Sequence, residues 1–200
     1  MTTRLADHPI DADILARWSP RAFDGSALTA DDLAPLFEAA RWAPSAYNYQ
    51  PWRFAYALRG DAAWDGFVAA LLPFNAAWAA EAGALVFVLS DRLILAPGAS
   101  EPAPAATASF DTGAAWAYFA LQAAKQGLVT HAMAGFDATK AAAITGSGER
   151  YRIEVAVAVG RRGDAASLPA GLAAREVPSS RLQLEQLVFA GKLPAYTPLK

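Results

Sequence analysis

The run Ala84-Leu-Val-Phe-Val-Leu89 places the strongest constraint on how this chain can fold. Successive side chains of a strand point to opposite faces, so a strand with no polar residue at either parity must be covered on both sides. The run has strand length and is rich in β-branched and aromatic residues. At this length it cannot cross a bilayer, which takes about 20 apolar residues in a helix. It predicts the central strand of a sheet with helices packed on both faces.

The flanking sequence supplies those helices. Asp11–Arg17 reads as a short helix, and the Pro in Trp18-Ser-Pro20 turns the chain extended, because proline disfavours α geometry at the residue before it. Thr29-Ala-Asp-Asp32 offers an N-cap and early acids for a helix to about Trp42, with Leu33, Leu36, Phe37 and Ala40 on one face. Trp52–Leu58 reads as a strand, Asp61–Leu72 as a helix and Asn75–Gly83 as helical. Ile94–Thr107, rich in Pro, Ala and Gly, is a loop or lid candidate. Asp111–Gln126 is a long helix, apolar almost all round and closed by Gly127, of the kind found at the centre of a domain or dimer. Strands follow at about Leu128–Ala132 and Arg152–Val159, separated by a helix capped by Asp137. Leu182–Phe189 is a last helix or turn, and the tail 190–200 is loose or lies on a partner. This alternation predicts one domain over 1–200, α/β or α+β.

Composition narrows the function classes. There is no cysteine, which excludes disulfides, thiolate nucleophiles and Cys-based metal sites, and the two histidines match no metal-ligand spacing. The formal net charge of −2, with the signs interspersed, leaves no basic stripe for a nucleic-acid backbone. Hydrophobic residues reach 54%, more than a small monomer needs, which points to a buried subunit interface. The N-terminus, Met1 to Pro9, lacks the layout of a signal peptide, so a cytoplasmic protein without membrane partners is expected.

Four segments carry candidate chemistry. In Arg17-Trp-Ser-Pro-Arg-Ala-Phe23, extended geometry would put Arg17, Ser19 and Arg21 in one row of donors, suited to a phosphate monoester or else forming a solvated basic edge. In Pro44-Ser-Ala-Tyr-Asn-Tyr-Gln-Pro-Trp52, Ser45, Asn48 and Gln50 present neutral donors and acceptors that suit a ring edge or sugar chain, or an ordinary polar loop. In Met133-Ala-Gly-Phe-Asp137, Gly135 permits close backbone approach to a flat ligand, or the segment is a plain strand-to-helix turn with Asp137 as N-cap. Arg181, in Pro178-Ser-Ser-Arg181, is a late arginine in a polar turn. His131 reads as a core or pocket-wall histidine. No Gly-x-Gly-x-x-Gly follows a strand, and no nucleophile elbow is present. The lack of acid–base machinery suggests that a cofactor carries the chemistry.

In this order the segments resemble the nitroreductase family of flavoproteins: Arg17-x-Ser-x-Arg-x-Phe23, Pro44-Ser-x-x-Asn-x-Gln-Pro-Trp52, Asn75 before Leu85-Val-Phe-Val, the helix ending Leu121–Leu128, Ala134-Gly-Phe-Asp137 and Ser180-Arg181. The resemblance implies an α+β fold, a three-layer α/β/α sandwich around a mixed sheet, in an intertwined homodimer with FMN at the interface. By position, Arg17, Ser19, Arg21 and Arg181 would hold the phosphate and nearby ring edge, and Ser45 and Asn48 would come from the partner chain. Asn75 would bond the flavin's polar rim, the Ala134–Gly135 backbone would lie beside its redox-active nitrogen, and Gln50 fits the motif either as a contact or as a structural residue. NAD(P)H would donate electrons, and nitroaromatics, quinones or activated alkenes would accept them by a ping-pong route. Rival readings are a flavin-dependent oxidation of a ring substrate and a non-catalytic FMN-binding protein. Two departures from the pattern stand out. Ser179 replaces a basic residue found in many relatives, which implies a weaker phosphate grip, and Ala134 replaces a glutamate found in some.

Overall fold

The computed structural model describes residues 4–195. Strand β1 (Trp52–Leu58) is followed by β2 (Ala84–Asp91), a two-residue pairing of β3 (Leu93–Ile94) with β4 (Ala103–Pro104), then β5 (Val129–Met133) and β6 (Tyr151–Gly160). Four of these form one sheet in the order β1-β2-β6-β5. As the apolar run requires, β2 is interior and buried at every position. Its side chains divide by parity: Leu85, Phe87 and Leu89 enter one core, and Ala84, Val86 and Val88 the other. On the first face β6 answers bulk with small residues, Phe87 lying opposite Ala156 and Leu85 opposite Ala158.

Among the described residues, six of the seven α-helices cover the sheet. On the second face lie α2 (Ala30–Arg41) and α5 (Ala108–Lys125), which bury Leu33, Leu36, Ala115, Phe119 and Ala123. On the first lie α3 (Trp64–Ala70), α4 (Pro73–Ala79), α6 (Ala138–Thr145) and α7 (Ala170–Ala173), around Phe67, Trp78, Ala141 and Leu172. This is the expected three-layer sandwich. The short α1 (Ala12–Ala16) is tied to α5 by an Asp13–Lys125 ion pair of 2.9 Å. Thr29 caps α2 as the sequence predicts, its Oγ1 accepting from Asp32 N while Asp32 Oδ2 accepts from Thr29 N. Gly127, at φ 73°, closes α5.

Two expectations are corrected. Every pairing within the four-stranded sheet is antiparallel, so the described strands contain no parallel neighbours of the kind a mixed sheet requires. The reason lies in helix length. Helices α3, α4 and α6 rise only about 10–12 Å each, less than half the ~27 Å of an eight-residue strand. Their connections therefore start and finish at the same end of the sheet. Only α5, at about 27 Å, returns the chain along the sheet, making β5 parallel to β2, and β6 then lies between them. Second, α5 begins at Ala108, earlier than the expected start at Asp111, and within one chain it leaves the apolar Phe110 82% exposed. The 94–107 segment is drawn together by the β3–β4 pairing, and the helix or turn expected over 182–189 is a turn, with its 3-10 segment at Leu184–Gln186. The tail expected to be loose or to lie on a partner falls partly at 196–200, outside the described residues. Among the described residues no helix is long and apolar enough to cross a membrane.

Phe87 sits 1% exposed between Phe67 and Phe136, with ring centroids 5.2 and 5.7 Å away. Phe87→Ala should lower unfolding free energy by roughly 3–5 kcal/mol in urea titration. A loss below about 1 kcal/mol would show that β2 is not the packed centre of the domain.

Candidate functional site

Leaving α1, the chain turns extended at Arg17 and runs to Phe23. This segment is clamped by its backbone. Glu176, 5% exposed, accepts hydrogen bonds from Arg21 N (2.7 Å) and Ala22 N (2.8 Å) through one carboxylate oxygen. Gly163 N donates to Ala22 O at 2.9 Å, and a Cβ at position 163 would collide with the Phe23 carbonyl, so only glycine permits this approach. With the backbone fixed, Arg17, Ser19 and Arg21 open into one cleft of about 510 Å³, the common row that alternation predicts. Arg17 Nη1 donates to Ser19 Oγ at 3.3 Å.

Arg181, Arg4 and Arg175 line the same cleft, so among the described residues five guanidiniums line it and no carboxylate does. Arg181 Nη1 donates to Ser179 Oγ at 3.1 Å and to Ser180 O at 3.1 Å. Burial, and then the Arg181 and Arg4 charges, hold the Arg17 pKa below the usual arginine value. Arginine keeps its proton regardless, so the consequence is a concentrated positive field. The buried acid behind the wall, Glu176, is turned toward the backbone. Such a cleft favours an anion, and forked guanidiniums fit the oxygens of a phosphate.

Deeper in the wall, His131 on β5 shares a hydrogen bond of 3.0 Å between Nδ1 and Pro20 O. A carbonyl can only accept, so Nδ1 carries the proton and Nε2 keeps its lone pair. The ring lies on Trp78, centroids 4.7 Å apart, and the Arg21 guanidinium lies 5.9 Å from the Trp78 ring. Burial, the largest cause, pushes the His131 pKa below its usual value. Arg21 Nε, Trp78 Nε1 and Glu176 Oε2 are buried without a partner among the described residues. Orphaned polar atoms gathered this closely are costly unless something polar completes them.

Helix α4 carries both Trp78 and Asn75. Asn75 Nδ2 donates to Gly135 O at 2.9 Å, and Leu72 N donates to the same carbonyl at 3.0 Å. A Cβ at position 135 would lie 2.5 Å from Asn75 Nδ2, so glycine lets the backbone beyond β5 meet the amide. Ala134 precedes it at the free edge of the sheet. Asp137 caps α6, its Oδ1 accepting from Thr139 N and Lys140 N.

Ser45 and Asn48 are not brought to this cleft. They precede β1, and β2 and β6 separate that edge of the sheet from β5, a span of about 14 Å. Their loop holds itself: Gln50 N donates to Ser45 Oγ (2.9 Å), Gln50 Nε2 donates to Asn48 O (3.0 Å), and Ala46 N donates to Asp111 Oδ2 on α5. Tyr47, Asn48 and Gln50 all have positive φ, a strained run for non-glycine residues that recurs at binding loops. Within one chain the expected residues thus form two groups, Arg17, Ser19, Arg21, Asn75, Ala134, Gly135 and Arg181 along the β5 edge, and Ser45 and Asn48 across the sheet.

Sequence reasoning missed Arg4, Arg175, Glu176 and Trp78. Arg4 and Arg175 stand in no motif, and Glu176 looks like any surface acid. The helical spacing of Asn75 and Trp78 was the one available signal.

The model of the nitroreductase family matches residues 14–161. A solved oxidoreductase containing FMN superposes with a TM-score of 0.92 at 40% identity, over 96% of this chain and 97% of that one. A nitroreductase family protein from Clostridium difficile 630 shares the fold, with a TM-score of 0.67 at 18% identity over 92% of this chain and all of that one. An uncharacterized 15.4 kDa protein of Mycolicibacterium smegmatis is 36% identical over 148 residues, 70% of this chain and 96% of its own length. The chain belongs to the nitroreductase family.

Because folding keeps His131 neutral, the unfolded chain binds more protons between the lowered native pKa and the usual value of about 6.5. The stability this provides is complete above about pH 6.5 and is lost as pH falls through that window. His131→Gln removes the titration. The wild type should therefore lose stability relative to His131→Gln as pH drops from about 7.5 to about 5.5, measured by urea unfolding. Parallel pH profiles would show that the imidazole is not held neutral.

Proposed function

We propose that this nitroreductase-family chain is an FMN-dependent oxidoreductase that works as a homodimer and takes its electrons from NADH or NADPH. One observation carries the reading: a cleft lined, among the described residues, by five guanidiniums and no carboxylate, beside the edge strand β5, which runs on into Ala134–Gly135. The residues present fit FMN. Arg17, Ser19 and Arg181 would hold a terminal phosphate, and Arg21, whose Nε has no partner among the described residues, would donate to the phosphate or the nearby ring edge. Asn75 spends Nδ2 on Gly135 O, which leaves Oδ1 to accept from a ring N–H. The likeness at 40% identity to an oxidoreductase containing FMN supports this assignment.

When bound, the flavin would supply the redox chemistry, accepting a hydride from a nicotinamide and passing electrons to an oxidised acceptor. The protein's part is position and electrostatics. Arg17 and Arg181 would hold the phosphate end, the backbone of 17–23 would keep their guanidiniums in place, and the Asn75–Gly135 contact would hold Asn75 beside the ring. Ser45 and Asn48 reach a site only if they come from a second copy, which supports the homodimer. Phe110 and Tyr118, exposed on the outer side of α5, offer apolar surface for it. With Ala134 small and neutral, flat uncharged acceptors such as nitroaromatics, quinones or activated alkenes fit the opening.

In FMN titrations of the apoprotein, Arg17→Ala and Arg181→Ala should each weaken binding by about ten- to hundredfold without altering the fold by circular dichroism. Unchanged affinity in both would remove them from the site. Steady-state rates at several acceptor concentrations should give parallel double-reciprocal lines, because nicotinamide and acceptor use one pocket in turn. Intersecting lines would favour a separate nicotinamide site, and oxygen consumption without nicotinamide would favour the oxidase reading.

A further inference from the structure

The proposed reading leaves Arg4 without a task. It stands ahead of α1 in no motif, yet the chain folds it over the 15–17 segment, where Nη1 donates to Leu15 O (3.1 Å) and Arg17 O (2.8 Å). Its Nε is buried without a partner among the described residues, and the ion pairs among those residues all lie elsewhere. The same guanidinium lines the cleft with Arg17, Ser19 and Arg181. Burial, and then the Arg181 charge, lower the Arg4 pKa. Among the described residues no carboxylate lines the cleft the two share, and Asp7, which lines the neighbouring cavity with both, forms no ion pair with either. Half-burying a cation beside like charges is unfavourable unless an anion completes the set. Two backbone bonds hold Arg4 in that position.

We infer that Arg4 is a direct ligand of the anion held in this cleft, a third guanidinium on a phosphate monoester beside Arg17 and Arg181. The inference rests on the FMN reading for the identity of the ligand, but not for the existence of the anion site. Three guanidiniums suit a doubly charged phosphate, whose three free oxygens can each accept a charge-assisted bond. The competing role is structural: Arg4 would only staple the Leu15–Arg17 backbone and so position Arg17.

The two roles separate by ligand. Binding of FMN, riboflavin and inorganic phosphate would be measured for wild type, Arg4→Ala, Arg4→Gln and Arg161→Ala. The Gln variant removes the charge but keeps an N–H donor for the Arg17 carbonyl. Arg161 is an exposed arginine outside the cleft and controls for net charge. FMN and phosphate should bind about tenfold more weakly in both Arg4 variants and unchanged in Arg161→Ala. Riboflavin, which lacks the phosphate, should bind all four proteins alike. Equal weakening of FMN and riboflavin, or Arg4 variants that bind phosphate as the wild type does, would overturn the inference. Phosphate binding that depends on Arg4, in a protein that binds neither FMN nor riboflavin, would uphold the anion ligand and refute the cofactor.

Discussion

Strand β2 has no face that water can touch, and the rest of the structure is arranged around that fact. Helices must cover both sides, and the chain builds them from segments of unequal length: three short ones on the first face, with α7, and the long α5 with α2 on the second. The short connections return each strand antiparallel to its neighbour, while α5 carries the chain the length of the sheet and puts β5 at an outer edge. An edge strand presents unpaired backbone groups. Here that edge is where the Arg17–Phe23 segment docks, through the bond between His131 and the Pro20 carbonyl, and where Asn75 meets Gly135.

The site follows from a second constraint, the uneven division of charge. The chain as a whole is close to neutral, yet one cleft gathers five guanidiniums while the buried acid behind its wall, Glu176, is turned inward onto two backbone amides. The acid thereby fixes the arginine-bearing strand without neutralising it. Desolvated like charges are tolerated when a rigid backbone holds them and a ligand of opposite sign is to be bound. The same logic leaves His131 neutral beside Arg21, so the wall of the cleft gains no further charge at ordinary pH.

Much of this was legible in the sequence where a local rule governed. Trp52–Leu58 is a strand at those bounds, Thr29 and Asp137 cap helices, and Arg17, Ser19 and Arg21 share one cleft, because strand alternation and side-chain capping are set by near neighbours. What was not legible is set by distant ones. The pairing of β6 between β2 and β5 depends on connection length across the whole sheet. Glu176 meets Arg21 across 155 positions, and Arg4 joins the cleft only because its chain folds back on α1. The start of α5 at Ala108 was missed because Ala108-Ser-Phe110 carries no capping side chain, and Thr107 makes no side-chain cap bond.

The central claim is that the cleft beside β5 holds a flavin that a nicotinamide can reduce. The most direct measurement is the visible absorption spectrum of the purified, FMN-supplemented protein, recorded anaerobically before and after NADPH or NADH is added. The account predicts a bound-flavin spectrum that bleaches on addition and returns when a quinone or nitroaromatic follows. A protein that takes up no FMN, or whose bound flavin stays oxidised with both nicotinamides, would contradict it.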